Sequence, residues 1–459
     1  MIGFQLSDSL SSNAFSTNPF SILSQECQDD LATCLSLHLL ENGGRLPREH
    51  WQIAQIKNLL AYAKANSSFW NNRIPDSSSL SIVFKEIPTL SRDELNLQVS
   101  NEGPLSKAFS GDEISPYQST GSTGIPVKIF TTKSNSRYSS LRSLAQYLIE
   151  NRSFTPNRTF IKPADSPHLY EKGAGIKIES FDSWNGAFNT LFKSGSYKII
   201  HFLDDVDTLI NELKKHEVGY LACPDSIFSV LVKHGGKDLI SKLNIHMWLH
   251  HSDNLSDSSR TLMNEIGIPI RSNYSAAEVG LIAFECPQNP GYHHVAHSNV
   301  YIEENLSDVI KVFNKELKRL IVTQLHSYAT PIIRYELGDY GCLHNSCPCG
   351  HDGPTLSDIY GRKKNFIKCL DGKLIPFTFY SKPINDIVDF DEIFCYQPRV
   401  DQLVIELGSK KEVPSTQLDK LVSYINRVTE NQFEVVVKCL AKIDWAKNPK
   451  KLPFISYVD

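Results

Sequence analysis

No stretch of this chain approaches the ~18 consecutive apolar residues that a membrane-crossing helix requires. Nor does its N-terminus, rich in Ser and Asn, set a basic region before an apolar block. A secretory signal is therefore not expected, and the chain is assigned to the cytoplasm. Charge of one sign is also missing: 47 Lys and Arg stand against 51 Asp and Glu, a formal net charge of -4. That balance argues against nucleic acid or an anionic membrane as a partner. No Gly-Lys-Ser or Gly-Lys-Thr follows a glycine at the spacing of a kinase-type phosphate loop, which argues against that class. Internal repeats and long low-complexity segments are absent as well. Cysteine is present but sparse, with 10 in 459 residues. In a reducing compartment these read as thiols or metal ligands and not as a disulfide framework.

The chain does have the means to fold. Hydrophobic residues make up 41% and charged residues 21%, the balance of an ordinary globular protein with two or three domains. Residues 1 to about 45 are weakly patterned and are expected to pack loosely as a polar lead-in. Ile53, Ile56, Leu59, Leu60 and Ala63 recur at helical spacing, which predicts a helix with one buried face. Ile87 to Glu94 reads as a Pro-punctuated loop entering a helix, with Ser91 and Glu94 forming a capping box. Another helix is expected over Ser139 to Glu150. Strand-length apolar runs at Ile199–Leu203, Val218–Ala222, Ile245–Leu249 and Ile268–Ile270 alternate with helix-length spacers, which predicts a layered α/β sheet. After Tyr274 the runs are β-branched and close together, so a smaller antiparallel sheet or barrel is expected. Beyond a break at Gly350 to Gly361, a β-α-β unit of about 100 residues is expected. The predicted domains are 1–361 and 362–459.

Three short segments could carry chemistry. Ser119-Thr120-Gly121-Ser122-Thr123-Gly124 packs four hydroxyls and two glycines into six residues ahead of a β-branched run. Hydroxyl donors, and backbone N–H groups unobstructed by a Cβ, suit a polyphosphate, although a surface turn has the same composition. Tyr274-Ser275-Ala276-Ala277-Glu278 follows an apolar run and ends in a carboxylate that can reach a cation bridging phosphates; a solvated loop Glu is the plain alternative. Arg334-Tyr335-Glu336-Leu337-Gly338-Asp339 puts an acid after a Gly at a strand end, where it can accept two ribose hydroxyls. Arg334 could hold an α-phosphate or orient Asp339 by a bidentate pair, or the two could simply pin a turn.

In this order, the three segments resemble the phenylacetate–CoA ligase branch of the adenylate-forming superfamily, over about residue 50 to the C-terminus. The resemblance implies an α/β fold with a large N-terminal domain of layered sheets, a small β-barrel-like part and a small mobile α+β C-terminal domain entered at Gly361-Arg362. It implies that Ser119 to Gly124, Thr120 included, hold the β- and γ-phosphates of ATP. Tyr274, next to Ser275, would lie near adenine, Glu278 would bind Mg²⁺ and Asp339 the ribose, with Arg362 close by. The catalytic lysine would map to Lys451, with Lys450 and Lys442 as alternatives. The activity implied is formation of an acyl adenylate from a small carboxylic acid, then transfer to coenzyme A. The alternatives are an amine or carrier-protein acceptor, or a nucleotide-binding zinc scaffold without turnover. A homodimer is common among such relatives.

The chain also departs from the family pattern. Ile125 replaces the usual Lys after Gly124, leaving Lys128 to supply that charge. Ser275 stands where Gly is common, and Lys363 and Lys364 stand where an acid usually follows the hinge Arg. Ser252-Asp253-Asn254 replaces a small-Gly-Glu segment near adenine. Substrate-pocket residues are expected between Trp248 and Ala283 and near Phe181 to Phe192.

Cys286, His293, Cys347 and Cys349 offer three thiols and an imidazole, enough for a closed structural Zn²⁺ site. Related Cys…His…Cys-x-Cys sets occur in the same family branch. His294, Cys342, His344 and His351 are the substitutes.

Overall fold

The computed structural model describes residues 24–76, 84–105, 113–118, 126–163, 177–184, 192–202, 206–253, 255–312, 315–361, 366–376, 384, 387–444 and 454–458. Ser119 to Gly124, Arg362 to Lys364, and Lys450 and Lys451 lie outside the described residues, as does Asn254.

The chain begins with α1 (Gln25–Asn42), α2 (Arg45–Asn66), α3 (Ser68–Arg73) and α4 (Arg92–Glu102). The lead-in is therefore not loose from residue 25 onward. Its buried positions Cys27, Asp30, Cys34, Leu37 and Glu41 do follow helical spacing. Two of the five are acids, which breaks the apolar signal; they are buried because partners far along the chain meet them. Arg137 donates twice to Asp30, each bond at 2.7 Å. The backbone N–H groups of His297 and Ser298 both donate to Glu41. The capping box on α4 forms as expected: the Glu94 N–H donates to the Ser91 side chain, and the Glu94 carboxylate accepts from the Ser91 N–H.

Among the described residues, one sheet of 12 strands forms the body of the molecule. Its parallel part contains β3 (Arg158–Pro163), β5 (Tyr197–Phe202), β6 (Gly219–Cys223), β7 (Ile245–His250) and β8 (Ile270–Ala276). β4 (Lys177–Phe181) adds an antiparallel edge. Helices cover both faces, as parallel strands require. On one side, α6 (Val206–Lys214), α7 (Asp225–Lys242) and α8 (Asp257–Glu265) share a core with Trp248 and Phe228. On the other, α1 packs with α5 (Lys133–Ile149) around Trp184 and Tyr220.

The antiparallel part contains β9 (Gly280–Glu285), β10 (His293–Val295), β11 (Val300–Val312), β12 (Lys315–Gln324), β13 (Tyr335–His344) and β14 (Thr355–Tyr360). It continues the same sheet, in the order β11-β12-β13-β14-β10-β9-β8. β8 is the switch: Ile270 to Ser272 pair parallel with β7, while Asn273 to Ala276 pair antiparallel with β9. Side chains from β9 through β14 meet in one core with Ile56, Leu59 and Trp70 of the N-terminal helices. Separately, β1 (Ile114–Gln118) and β2 (Lys128–Thr132) pair as an antiparallel hairpin whose connection carries the hydroxyl-rich segment.

The C-terminal part has a short hairpin of β15 (Phe366–Lys368) and β16 (Leu374–Pro376), then its own four-stranded sheet of β17 (Glu392–Arg399), β18 (Gln402–Gly408), β19 (Glu434–Leu440) and β20 (Phe454–Ser456), with β18 and β19 parallel and α9 (Ser415–Val428) between them in sequence. Ile367, Leu403, Ile405, Leu421, Ile425 and Phe454 form a core distinct from those of the large sheet. Among the described residues, no helix is long and apolar enough to cross a membrane.

Candidate active site

The switch strand sets the position of the predicted motifs. Where β8 leaves its parallel neighbour, Tyr274 and Ser275 project from its final residues and Glu278 sits in the turn to β9. Gly280 closes that turn at φ +78°, a conformation that strains an L side chain. Two buried amides grip the turn from behind. Asn299 Nδ2 donates to the carbonyls of Val279 and Leu281 at 3.1 and 2.6 Å, and Gln324 Nε2 donates to Val279 at 3.0 Å. Nothing in the local sequence around Asn299 or Gln324 signals this role.

β13 supplies the other wall. In the sheet it is four strand spacings from β8, which would be roughly 19 Å if the sheet were flat. Yet the Tyr274 hydroxyl donates to Asp339 Oδ2 at 2.8 Å, and the Tyr335 hydroxyl donates to Glu278 Oε1 at 2.7 Å. No Tyr and carboxylate can span such a gap, so the antiparallel part must curl, which is the barrel-like character expected. The two motifs are thus cross-linked by two phenols, each motif giving one Tyr and one acid. Burial pushes the Tyr335 phenol well above its ordinary range, and the Glu278 carboxylate acts in the same direction, so Tyr335 remains the donor.

A third segment completes the corner. Leu90 bridges to Tyr335: its N–H donates to the Arg334 carbonyl at 2.8 Å and its carbonyl accepts from Glu336 at 2.9 Å. This pairing delivers the start of α4, so that Arg92 Nη2 lies 3.6 Å from Glu278 Oε1. The inward direction of Arg92 was not read from the sequence, although a basic residue at the first helical position was the signal. One turn on, Asn96 accepts from the Lys128 N–H and donates to the Pro126 carbonyl, both at 3.1 Å. It thereby fixes the exit of the hydroxyl-rich segment to the same helix.

Arg334 does not orient Asp339. With φ at 50°, it turns its guanidinium onto Glu303 at 3.2 Å and onto the carbonyls of Lys85 and Ile87. It therefore pins the Ile87 segment from the residue just before β13, while Asp339 lies inside β13 and not at a strand end as expected. Ser252-Asp253 also has structural partners. Asp253 accepts from the N–H groups of Asp225 and Ser226 at 2.8 and 2.9 Å, capping α7 from a distance. His250 holds the same carboxylate at 2.9 Å and contacts Ser272 with its other ring nitrogen.

The cysteines converge elsewhere, with His294 beside them in place of the expected His293. Cys286, His294, Cys347 and Cys349 present donor atoms all within 4.8 Å of one another. His293 is not in the set. On β10, successive side chains point to opposite faces, so the residue beside a ligand is turned away from it. His294 pairs opposite Phe284 and touches Cys349 Sγ at 3.4 Å. His293 pairs opposite Glu285, on the other face, and burial lowers its pKa. The N–H groups of Asn289 and His351 donate to Cys286 and Cys349. Burial acts to raise both Cys286 and Cys347. Backbone N–H donors and the neighbouring thiols bring Cys286 below its ordinary range, while Cys347 is pushed up to about 12. Three sulfurs and one imidazole nitrogen in so small a volume fit a tetrahedral Zn²⁺.

No protein-family model and no curated protein matches the sequence. Solved structures do match the fold. A 2-hydroxyisobutyryl-CoA ligase in the postadenylation state, in complex with 2-HIB-AMP, superimposes with TM-score 0.64 at 14% identity, covering 88% of this chain and 89% of that one. The same ligase in an open conformation with 2-HIB-AMP and CoA gives TM-score 0.52 at 14% identity, covering 88% and 91%. The GH3.15 acyl acid amido synthetase in complex with 2,4-DB gives 0.56 at 13% identity, covering 95% of each chain.

Proposed function

We propose that this chain, whose fold is that of adenylate-forming ligases, activates a small carboxylic acid with ATP and transfers the acyl group to a thiol, with coenzyme A the preferred acceptor. The observation that carries the reading is the double cross-link Tyr274–Asp339 and Tyr335–Glu278. Two acids expected to serve a nucleotide are held in one corner, Glu278 just past the carboxyl end of the parallel run of β8, the end of a parallel sheet at which ligands of such folds bind.

In this reading the substrate carboxylate attacks the α-phosphorus of ATP, and the bond to the bridging oxygen of pyrophosphate breaks as the acyl–phosphate bond forms. Bound Mg²⁺, held by Glu278, would neutralise charge on the phosphates. Asp339 would accept the ribose hydroxyls while Tyr274 orients it. Ser119 to Gly124 would donate to the β- and γ-phosphates. The acceptor sulfur then attacks the acyl carbon, AMP leaves and a thioester forms. We assign residues 362–459 to a C-terminal domain that turns about Arg362 between the half-reactions and brings Lys451 to the first of them. The Cys286–His294–Cys347–Cys349 set would hold Zn²⁺ as a closed brace, with no ligand position left for substrate.

A second reading, transfer to an amine or carrier protein, is favoured by the likeness to an amido synthetase along 95% of both chains. Pyrophosphate exchange into ATP across a panel of carboxylic acids tests the first half-reaction. Product formation with CoA or with amines as acceptor separates the two readings. A protein that exchanges no pyrophosphate with any acid overturns both.

A further inference from the structure

Arg92 occupies the first position of α4, where the helix dipole favours an acid and disfavours a cation. Asp93 and Glu94 follow that preference, and Arg92 does not. Its side chain is only 18% exposed and faces a Glu278 carboxylate that is 6% exposed, at 3.6 Å. The same helix face, one turn on, carries Asn96 and holds the exit of the hydroxyl-rich segment. A cation kept against the dipole, beside the carboxylate expected to receive a divalent ion, calls for an account.

We propose that Arg92 is the counter-cation of Glu278 in the nucleotide-free protein, and that the arriving metal–nucleotide takes its place. The inference rests on the reading of Glu278 as the Mg²⁺ ligand. Tyr335 donates to the same carboxylate oxygen that Arg92 faces, so in the proposed exchange the phenol would keep the acid in place. Arg92 is thus a positioning residue that acts through Glu278. It keeps a buried carboxylate balanced until the metal arrives, and it competes with that metal.

The competition gives the test its sign. Mn²⁺ binding to the full-length protein with a non-hydrolysable ATP analogue, read by electron paramagnetic resonance, is compared among wild type, Arg92→Met, Arg92→Gln, Arg92→Lys and Glu278→Gln. Removing the competitor should tighten Mn²⁺ binding about three- to ten-fold in Arg92→Met and Arg92→Gln, and Arg92→Lys should restore the wild-type value. Damage to the fold cannot tighten binding. Unchanged affinity in the two neutral variants overturns the proposal, and so does weaker affinity, which would put Arg92 on the phosphates themselves. Should Arg92→Met fail to fold, Arg92→Gln carries the same prediction. Glu278→Gln separates the two levels: if it binds Mn²⁺–nucleotide like the wild type, the metal role of Glu278 fails. If only the Arg92 variants are silent, the counter-cation alone fails.

Discussion

The corner between β8 and β13 and the cysteine cluster around β10 are both built from side chains distant in sequence, yet their chemistry is arranged oppositely. At the corner, each acid is held by a phenol from the opposite motif, and Glu278 also faces a cation. The acids are thereby oriented from outside their own motifs. At the cluster, three thiols and an imidazole crowd within 4.8 Å of one another, with backbone N–H groups already on two of the sulfurs. Those four donors would by themselves complete a tetrahedral shell around a metal. One arrangement holds its acids by partners from opposite motifs, and the other gathers its donors on one point.

The sharpest way to break the comparison is at Glu278. Glu278→Gln should lower pyrophosphate exchange about 100- to 1000-fold, the scale of losing one preorganised charge contact. Its melting temperature should fall by a few degrees at most, as the amide still accepts from Tyr335 but leaves Arg92 without its counter-charge. The cluster should respond the other way round. His294→Asn or Cys349→Ser should abolish bound zinc by elemental analysis and lower the melting temperature by about 5–10 °C, with exchange per folded molecule retained. His293→Asn should keep the zinc, and loss of metal there would reverse the ligand choice. Tyr335→Phe, which removes the donor to a buried carboxylate, should cost about 5- to 20-fold in kcat/KM for ATP. The smallest effect on activity is expected at Arg334. Arg334→Gln should cost about 1–2 kcal/mol in denaturant stability, with the KM for ATP within about two-fold of wild type. A KM change larger than that would return Arg334 to the nucleotide.

Much of this was legible beforehand. Apolar runs separated by helix-length spacers gave the α/β sheet, and Ser91 and Glu94 gave the start of α4. Asp339 and Glu278 stood out because an acid close after a small residue is a local feature, although Asp339 lies inside β13 and not past a strand end as expected. Other features were not local. Helix α1 was hidden because Asp30 and Glu41 occupy core positions, and their partners Arg137, His297 and Ser298 lie about 100 to 250 residues away. The choice between His293 and His294 turned on the face that β10 presents, which only its pairing with Phe284 and Glu285 fixes. Arg334 looked like a ligand residue, but its guanidinium turns onto the Ile87 carbonyl.

Sequence alone determined which residue types could meet a nucleotide or a metal, because hydroxyls, carboxylates and thiols carry their chemistry wherever they are placed. Tertiary structure decided which of them share a space. A curled sheet brought β13 to β8 and set Arg92 against Glu278, contacts made across long loops that no periodicity encodes.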